Sequence, residues 1–182
     1  MPNICSYSMR IKGSKEAIKR IMGCLTGDYD YEEGAEKPAH KHFFRVFDAE
    51  QIKEPKKVDG EKYVVTIWGT CAWSVYSCMC SGEHTYYNDQ MHNPNFNGTT
   101  LEEQSKDCEI EVFSEETGNG FSEHYIYKYG ECIKDDCIDI VEGGYDEDGN
   151  PTTDIDWDEY DGDYITFNDH QDGIEGDWLW EI

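Results

Sequence analysis

From Glu142 to Ile182 the chain contains neither lysine nor arginine. Basic residues are scarce overall, 15 Lys and Arg against 40 Asp and Glu for a formal net charge of −25, and the imbalance is local. Residues 1–100 carry 12 basic and 13 acidic side chains, whereas residues 101–182 carry 3 and 27. With a pI near 4.3 and no clustered basic charge to displace counterions from phosphates, direct binding to nucleic acid is not expected. A long apolar run is also missing: nothing approaches the about 18 residues of a membrane span, and the start MPNICSYSMRIKG lacks the apolar region of a signal peptide. These absences predict a cytoplasmic chain without membrane contact, whose eight cysteines stay reduced.

Catalytic signatures are absent too. Gly118-Asn119-Gly120 reads as a turn, and Gly143-Gly144 lacks the lysine of a phosphate-binding loop. None of the six histidines or eight cysteines stands in the local context of a nucleophilic triad. The expectation is a protein that is not an enzyme and carries no cofactor.

What is present is an acidic segment built to fold. Disordered acidic tails are poor in aromatics, but Tyr145, Trp157, Tyr160, Tyr164, Phe167, Trp178 and Trp180 are interleaved with the carboxylates. Asp154-Ile155-Asp156-Trp157-Asp158 alternates strictly, and the period of two in a strand sends the three Asp to one face and Ile155 and Trp157 to the other. Same-face carboxylates on a strand stand about 7 Å apart, close to every second phosphate of a nucleic-acid strand at about 3.4 Å per nucleotide. Repulsion across about 7 Å is roughly 0.6 kcal/mol per pair in water and several-fold larger when desolvated. Such a row therefore stays wet, binds metal, or meets a partner rich in Lys and Arg.

The 182 residues suit one compact unit, and 14% aromatic content favours sheet. Asn3 to Lys12 alternates so that Cys5, Tyr7, Met9 and Ile11 form a buried face, opposite a polar one of Ser6, Ser8, Arg10 and Lys12. Ser14 can cap a helix with the stripe Ala17, Ile18, Ile21, Met22 and Leu25, stopped by Gly27. Residues 28–60 read as an insertion or a long, partly structured connection with one short buried element around Phe43, Phe44, Val46 and Phe47, and Lys53, Lys56, Lys57 and Lys62 form a modest basic cluster in a solvated loop. Tyr63 to Trp68 is a central strand that Gly69-Thr70 ends or bulges, and Cys71 to Cys80 continues as strand. Thr99 or Thr100 caps a short helix through Ser105. Cys108–Ser114, Phe121–Lys128 and Glu131–Glu142 then make an antiparallel meander, and DEDGNP turns it into the acidic strand.

The order strand, helix, strand, helix, strand, strand is that of an α+β sandwich with helices on one face of an antiparallel sheet. The opening Met1-Pro2-Asn3-Ile4-Cys5-Ser6, Trp68-Gly69-Thr70 followed by Trp73, and the run from Leu101 through Glu115-Glu116-Thr117-Gly118-Asn119-Gly120-Phe121 to Gly130 resemble the plasmid- and phage-borne YubB or Api92-like family. The resemblance covers about residues 1–141. It implies a ferredoxin-like fold and a mobile-element origin, and no activity. The chain departs from the family at Ile4, where a Trp is usual, in the Cys71-Ala72 spacer before Trp73, and in its acidic C-terminal region. The expected organisation is a ferredoxin-like domain over residues 1–141 with an insertion at about 28–60, and an acidic β extension over 142–182 packed on it.

Two groups of residues raise the question of a metal site. Cys78 and Cys80 share a face if they lie on a strand, and with His84, Cys132 and Cys137 they would supply ligands for zinc, but the spacing is not that of paired knuckles, and buried free thiols are favoured. Asp146, Asp148 and Asn150 match the start of a calcium loop, which then fails at Pro151, where Gly is required, and at Trp157, where a Glu belongs. The preferred expectation is a phage-type inhibitor that mimics DNA and docks on a basic nucleic-acid-binding protein, in its sharpest form an anti-CRISPR protein filling the basic channel or motif-reading site of a CRISPR effector nuclease. Its partner-binding residues are Asp154, Asp156 and Asp158, flanked by Glu147, Asp148, Glu159, Asp161 and Asp163. The alternatives are a zinc-stabilised adaptor and a plasmid or phage accessory protein whose acidic surface only solubilises.

Overall fold

The protein's computed structural model describes residues 3–26, 41–81, 97–116, 120–145 and 151–155, with backbone alone over 139–145 and 151–155. It is an α+β fold dominated by antiparallel sheet. The strands are β1 (Ile4–Gly13), β2 (Val46–Gln51), β3 (Lys56–Asp59), β4 (Lys62–Ala72), β5 (Glu109–Glu116), β6 (Phe121–Lys128), β7 (Glu131–Tyr145) and β8 (Pro151–Ile155). Helix α1 (Lys15–Leu25) follows β1. A π-helical turn (Tyr76–Cys80) and the short α2 (Leu101–Gln104) lie between β4 and β5. The sheet order is β2-β4-β1-β5-β6-β7-β8, and β3 continues the β2 edge along the other end of β4. Among the described residues, no helix is long and apolar enough to cross a membrane.

β1 is the central strand because its alternation lets it pair on both edges while its odd-numbered side chains face the core. It runs in continuous antiparallel register with β4, from Ile4 opposite Ala72 to Gly13 opposite Tyr63, and with β5, from Ser6 opposite Glu115 to Lys12 opposite Glu109. Cys5, Tyr7, Met9 and Ile11 are fully buried, as their spacing predicts. They share one apolar cluster with Ala17, Ile18, Ile21, Cys24 and Leu25 of α1, with Val75, Cys78 and Met79 at the π-helical turn, and with Leu101 of α2. The described helical segments thus cover one face of the sheet. The Ser14 hydroxyl accepts from Ala17 N at 3.1 Å at the start of α1, and the Thr100 hydroxyl accepts from Glu103 N at 3.3 Å at the start of α2, so both expected caps form.

Several expectations give way to packing. The polar face of β1 is not a solvent face: Ser8 and Arg10 are buried, with Thr66, Glu111, Phe113, Ser122 and His124 on the same side of the sheet. The stretch read as an insertion supplies β2 and β3, which charge-rich sequences conceal because both lie at the sheet edge and β3 is exposed along its length. Phe43 and Val46 join the core as expected, but Phe47 is exposed, because the register shifts between Val46 and Asp48. Gly69 and Thr70 neither end nor bulge β4. Gly69 lies opposite Tyr7, whose ring crosses the place of a side chain and whose hydroxyl donates to Asp48 O at 3.0 Å. A β-carbon on Gly69 would stand 2.3 Å from that carbonyl and 2.4 Å from the Tyr7 Oη.

Cys71 to Cys80 does not continue as strand. β4 stops after Ala72 because Trp73 takes a left-handed φ of 64°, its N–H donating to Asn3 O at 2.8 Å and its ring lying 4.5 Å from the guanidinium of Arg45, itself at φ 49°. The π-helical turn that follows is pinned by Glu123 of β6, a buried carboxylate that accepts from Val75 N at 2.9 Å, Tyr76 N at 3.3 Å, Ser114 Oγ at 2.6 Å and Tyr125 Oη at 3.1 Å. The three meander strands are as expected. The β6–β7 connection is the two-residue turn Tyr129-Gly130, with φ 51° and 87°, the left-handed pair that matches strand twist.

Gly69→Ala is expected to lower the stability by about 3 kcal/mol, since neither Tyr7 nor the Asp48 carbonyl can retreat without opening the core or the β2 pairing. Urea denaturation followed by tryptophan fluorescence measures this, and an unchanged midpoint would contradict the packing described.

Candidate functional site, an acidic ribbon carried past the end of the sheet

β7 is longer than the strand that supports it. Its pairing with β6 ends where Asp139 faces Phe121, and from Ile140 onward β7 pairs with β8: Ile140 with Ile155, Val141 with Asp154, Glu142 with Thr153, Gly144 with Thr152 and Tyr145 with Pro151. The register slips at the Gly143-Gly144 pair, where the absence of side chains makes a bulge inexpensive. The turn expected at DEDGNP lies outside the described residues up to Pro151.

Of the residues assigned to partner binding, Asp154 sits on β8 opposite Val141. Glu147, Asp148, Asp156, Asp158, Glu159, Asp161 and Asp163 lie outside the described residues, as does the calcium-loop match beyond Tyr145 and before Pro151. The structure therefore places the first member of the expected carboxylate row on a paired strand.

The register also sorts charge along the strand axis. The end of the sheet from which the β7–β8 ribbon departs carries Asp48, Glu115 and Glu116 beside Asp139. The far end carries Lys12, Lys56, Lys57, Lys62 and Lys128, with Asp59, Glu109 and Glu131 among them. Glu109 answers two of these lysines, at 4.0 Å from Lys12 Nζ and 3.5 Å from Lys128 Nζ. So Lys12, Lys56, Lys57 and Lys62, scattered in the sequence, gather at the end remote from the ribbon. Several acids of the folded part are withdrawn from any surface role. Burial raises the Glu115 carboxyl above its usual range, and it raises Glu123 despite the four donors that favour its ionised form.

A buried polar row was not foreseen. Thr66, Arg10 and Glu111 lie side by side across β4, β1 and β5. Glu111 Oε1 is 2.9 Å from His124 Nε2, and the imidazole stacks on Phe113 with centroids 3.8 Å apart. Burial lowers the Arg10 value while the Glu111 charge opposes that, and burial lowers His124 while the Glu111 hydrogen bond opposes it. A carboxylate and an imidazole at this distance could exchange a proton, but the two side chains are 1% and 8% exposed, so no substrate reaches them in this arrangement. The pair orients strands. Its sequence signal was an Arg, a Glu and a His on the polar face of the three neighbouring strands β1, β5 and β6, a face that periodicity alone assigns to solvent.

The four cysteines of the zinc reading divide between environments, and its His84 lies outside the described residues. Cys78 is buried and donates to Ala72 O at 2.8 Å, and Cys71 hydrogen-bonds both Cys5 and Cys78. Cys80 and Cys132 both reach the Tyr127 hydroxyl, while Cys137 is exposed on β7. Cys78 and Cys80 share no strand face, since they lie in the π-helical turn. Among the described residues, no group of three or more His, Cys, Asp or Glu is placed to hold a metal ion. No family model, curated protein or solved structure matches the chain.

His124 supplies a pH test. Its folded value lies below the 6.5 of an unfolded imidazole, so its contribution to stability is present above that value and is lost as pH falls from there through the folded value. The stability difference between the wild type and His124→Gln should therefore shrink on going from about pH 7 to about pH 5. Urea midpoints of both proteins across that range measure it, and parallel curves would contradict the buried neutral imidazole.

Proposed function

We propose that this protein is a mobile-element inhibitor that fills the nucleic-acid site of a basic host protein, most sharply the DNA channel or motif-reading site of a CRISPR effector nuclease. The observation that carries the proposal is the distribution of charge: 27 carboxylates against 3 basic residues from Leu101 onward, none of those three beyond Val141. The β7–β8 pairing supports it, because Asp154 lies on a strand paired with β7 in a defined register. Carboxylates repeating at about 7 Å on one strand face would meet lysines and arginines spaced for phosphates. Inhibition needs no chemistry, since a filled channel excludes the duplex. The lysines gathered at the opposite end leave the acidic end to lead the encounter with a basic surface.

The reading takes residues 1–141 as ferredoxin-like and of phage or plasmid origin, acting in the host cytoplasm. The order β5-β1-β4-β2, with α1 joining β1 to β2 and helical segments joining β4 to β5, supports that assignment.

Asp154, Asp156 and Asp158 changed together to Asn should abolish competition with the target duplex for a purified CRISPR effector nuclease while leaving the thermal midpoint unchanged. Wild-type affinity should fall steeply as salt shortens the screening length below about 8 Å. Equal competition by the triple variant would reject this row as the contact surface.

A further inference from the structure

A cleft of about 510 Å³ runs beside α1, among residues Lys19, Arg20, Gly23, Cys24, Lys41 and Gln104. That size is within the range of small-molecule sites, about 300–1,000 Å³. In a chain of net charge −25 its described lining holds three cations and a single carboxylate, Glu16. Two of the cations are held in place by neighbouring side chains. The Arg20 Nε and Nη2 donate to the side chain and backbone of Gln104 at 3.0 Å, and its guanidinium pairs with both oxygens of Asp107. Lys41 Nζ is 2.7 Å from Glu103 Oε2. Lys19 has no ion pair among the described residues.

The rest of the wall is uncharged. Cys24 and Gln104 are 3% and 6% exposed. Burial pushes the Cys24 thiol up to about 11, so it is a neutral, soft surface at neutral pH. Gly23 adds an independent observation. Glycine inside a helix is destabilising relative to alanine and is usually excused by tight packing. Among the described residues a β-carbon here would meet nothing within 4 Å. Their packing does not require this glycine, and its effect is to keep one side of the cleft open.

We propose that the cleft binds a small amphipathic anion, with its apolar body against Gly23, Cys24 and the aliphatic stems of the basic residues and its acidic group between Lys19 and Lys41. This site is separate from the acidic ribbon and stands whether or not the ribbon docks on a nuclease.

The test is titration with the fluorescent dye anilinonaphthalene sulfonate. The wild type should bind it saturably, and octanoate should displace it where octylamine and octanol do not. Gly23→Ala should keep binding, and Gly23→Trp, whose side chain enters the opening, should weaken it about ten-fold or more. The pair of changes Lys19→Glu and Lys41→Glu should weaken it similarly and make it less sensitive to salt. Absence of saturable binding, displacement by octylamine as effective as by octanoate, or unchanged affinity in Gly23→Trp would each overturn the proposal. If Gly23→Trp fails to fold by circular dichroism, the lysine variant decides, and unchanged affinity there overturns it.

Discussion

Everything in this molecule depends on the two hydrogen-bonded seams of β1. The strand pairs along its whole length with β4 and along most of it with β5, which lie on opposite edges and come from distant parts of the sequence. Without it the β2-β3-β4 half and the β5-β6-β7 meander would be separate ribbons, each with one apolar face and no common core. Tyr7 makes the constraint specific. Its ring occupies the space left by Gly69, and its hydroxyl reaches across β4 to the backbone of β2, so one side chain ties three strands together.

A second tie runs through buried charge. Glu123 carries the π-helical turn on its carboxylate and Glu111 holds His124, so β5 and β6 are joined by polar contacts on both faces of the sheet as well as by their ladder. Burying these groups is costly by itself, and what offsets the cost is that each meets a matching donor or acceptor. The result is a sheet whose strand register is specified twice, once by apolar alternation and once by pairs that fit in one register only.

That register also arranges charge over the molecule. Lysines from β1, β3, β4 and β6 fall at one end of the sheet, and β7 leaves the other end to pair with β8 at the start of the lysine-free segment. Along the described sheet, charge is therefore sorted by end although the first hundred residues are nearly neutral in sum. The basic cleft beside α1 is a local exception, set by cations that their own acidic partners hold in position.

Much of the fold was legible in residue order. Alternation identified β1 and the three meander strands, Ser14 and Thr100 marked both helix starts, and the loss of basic residues after Lys134 marked where the charge changes. These are local signals, fixed by side-chain period and capping chemistry within a few residues. The remainder was decided by neighbours remote in sequence. β2 and β3 exist because β4 offers them a free edge, Gly69 remains in a strand because Tyr7 needs its space, and Cys78 and Cys80 part because Trp73 turns the chain. Arg10 reads as part of a polar face until β1, β5 and β6 bring it together with Glu111 and His124 under cover. Composition and periodicity determine which residues prefer water; only the packed sheet determines which of them are given it.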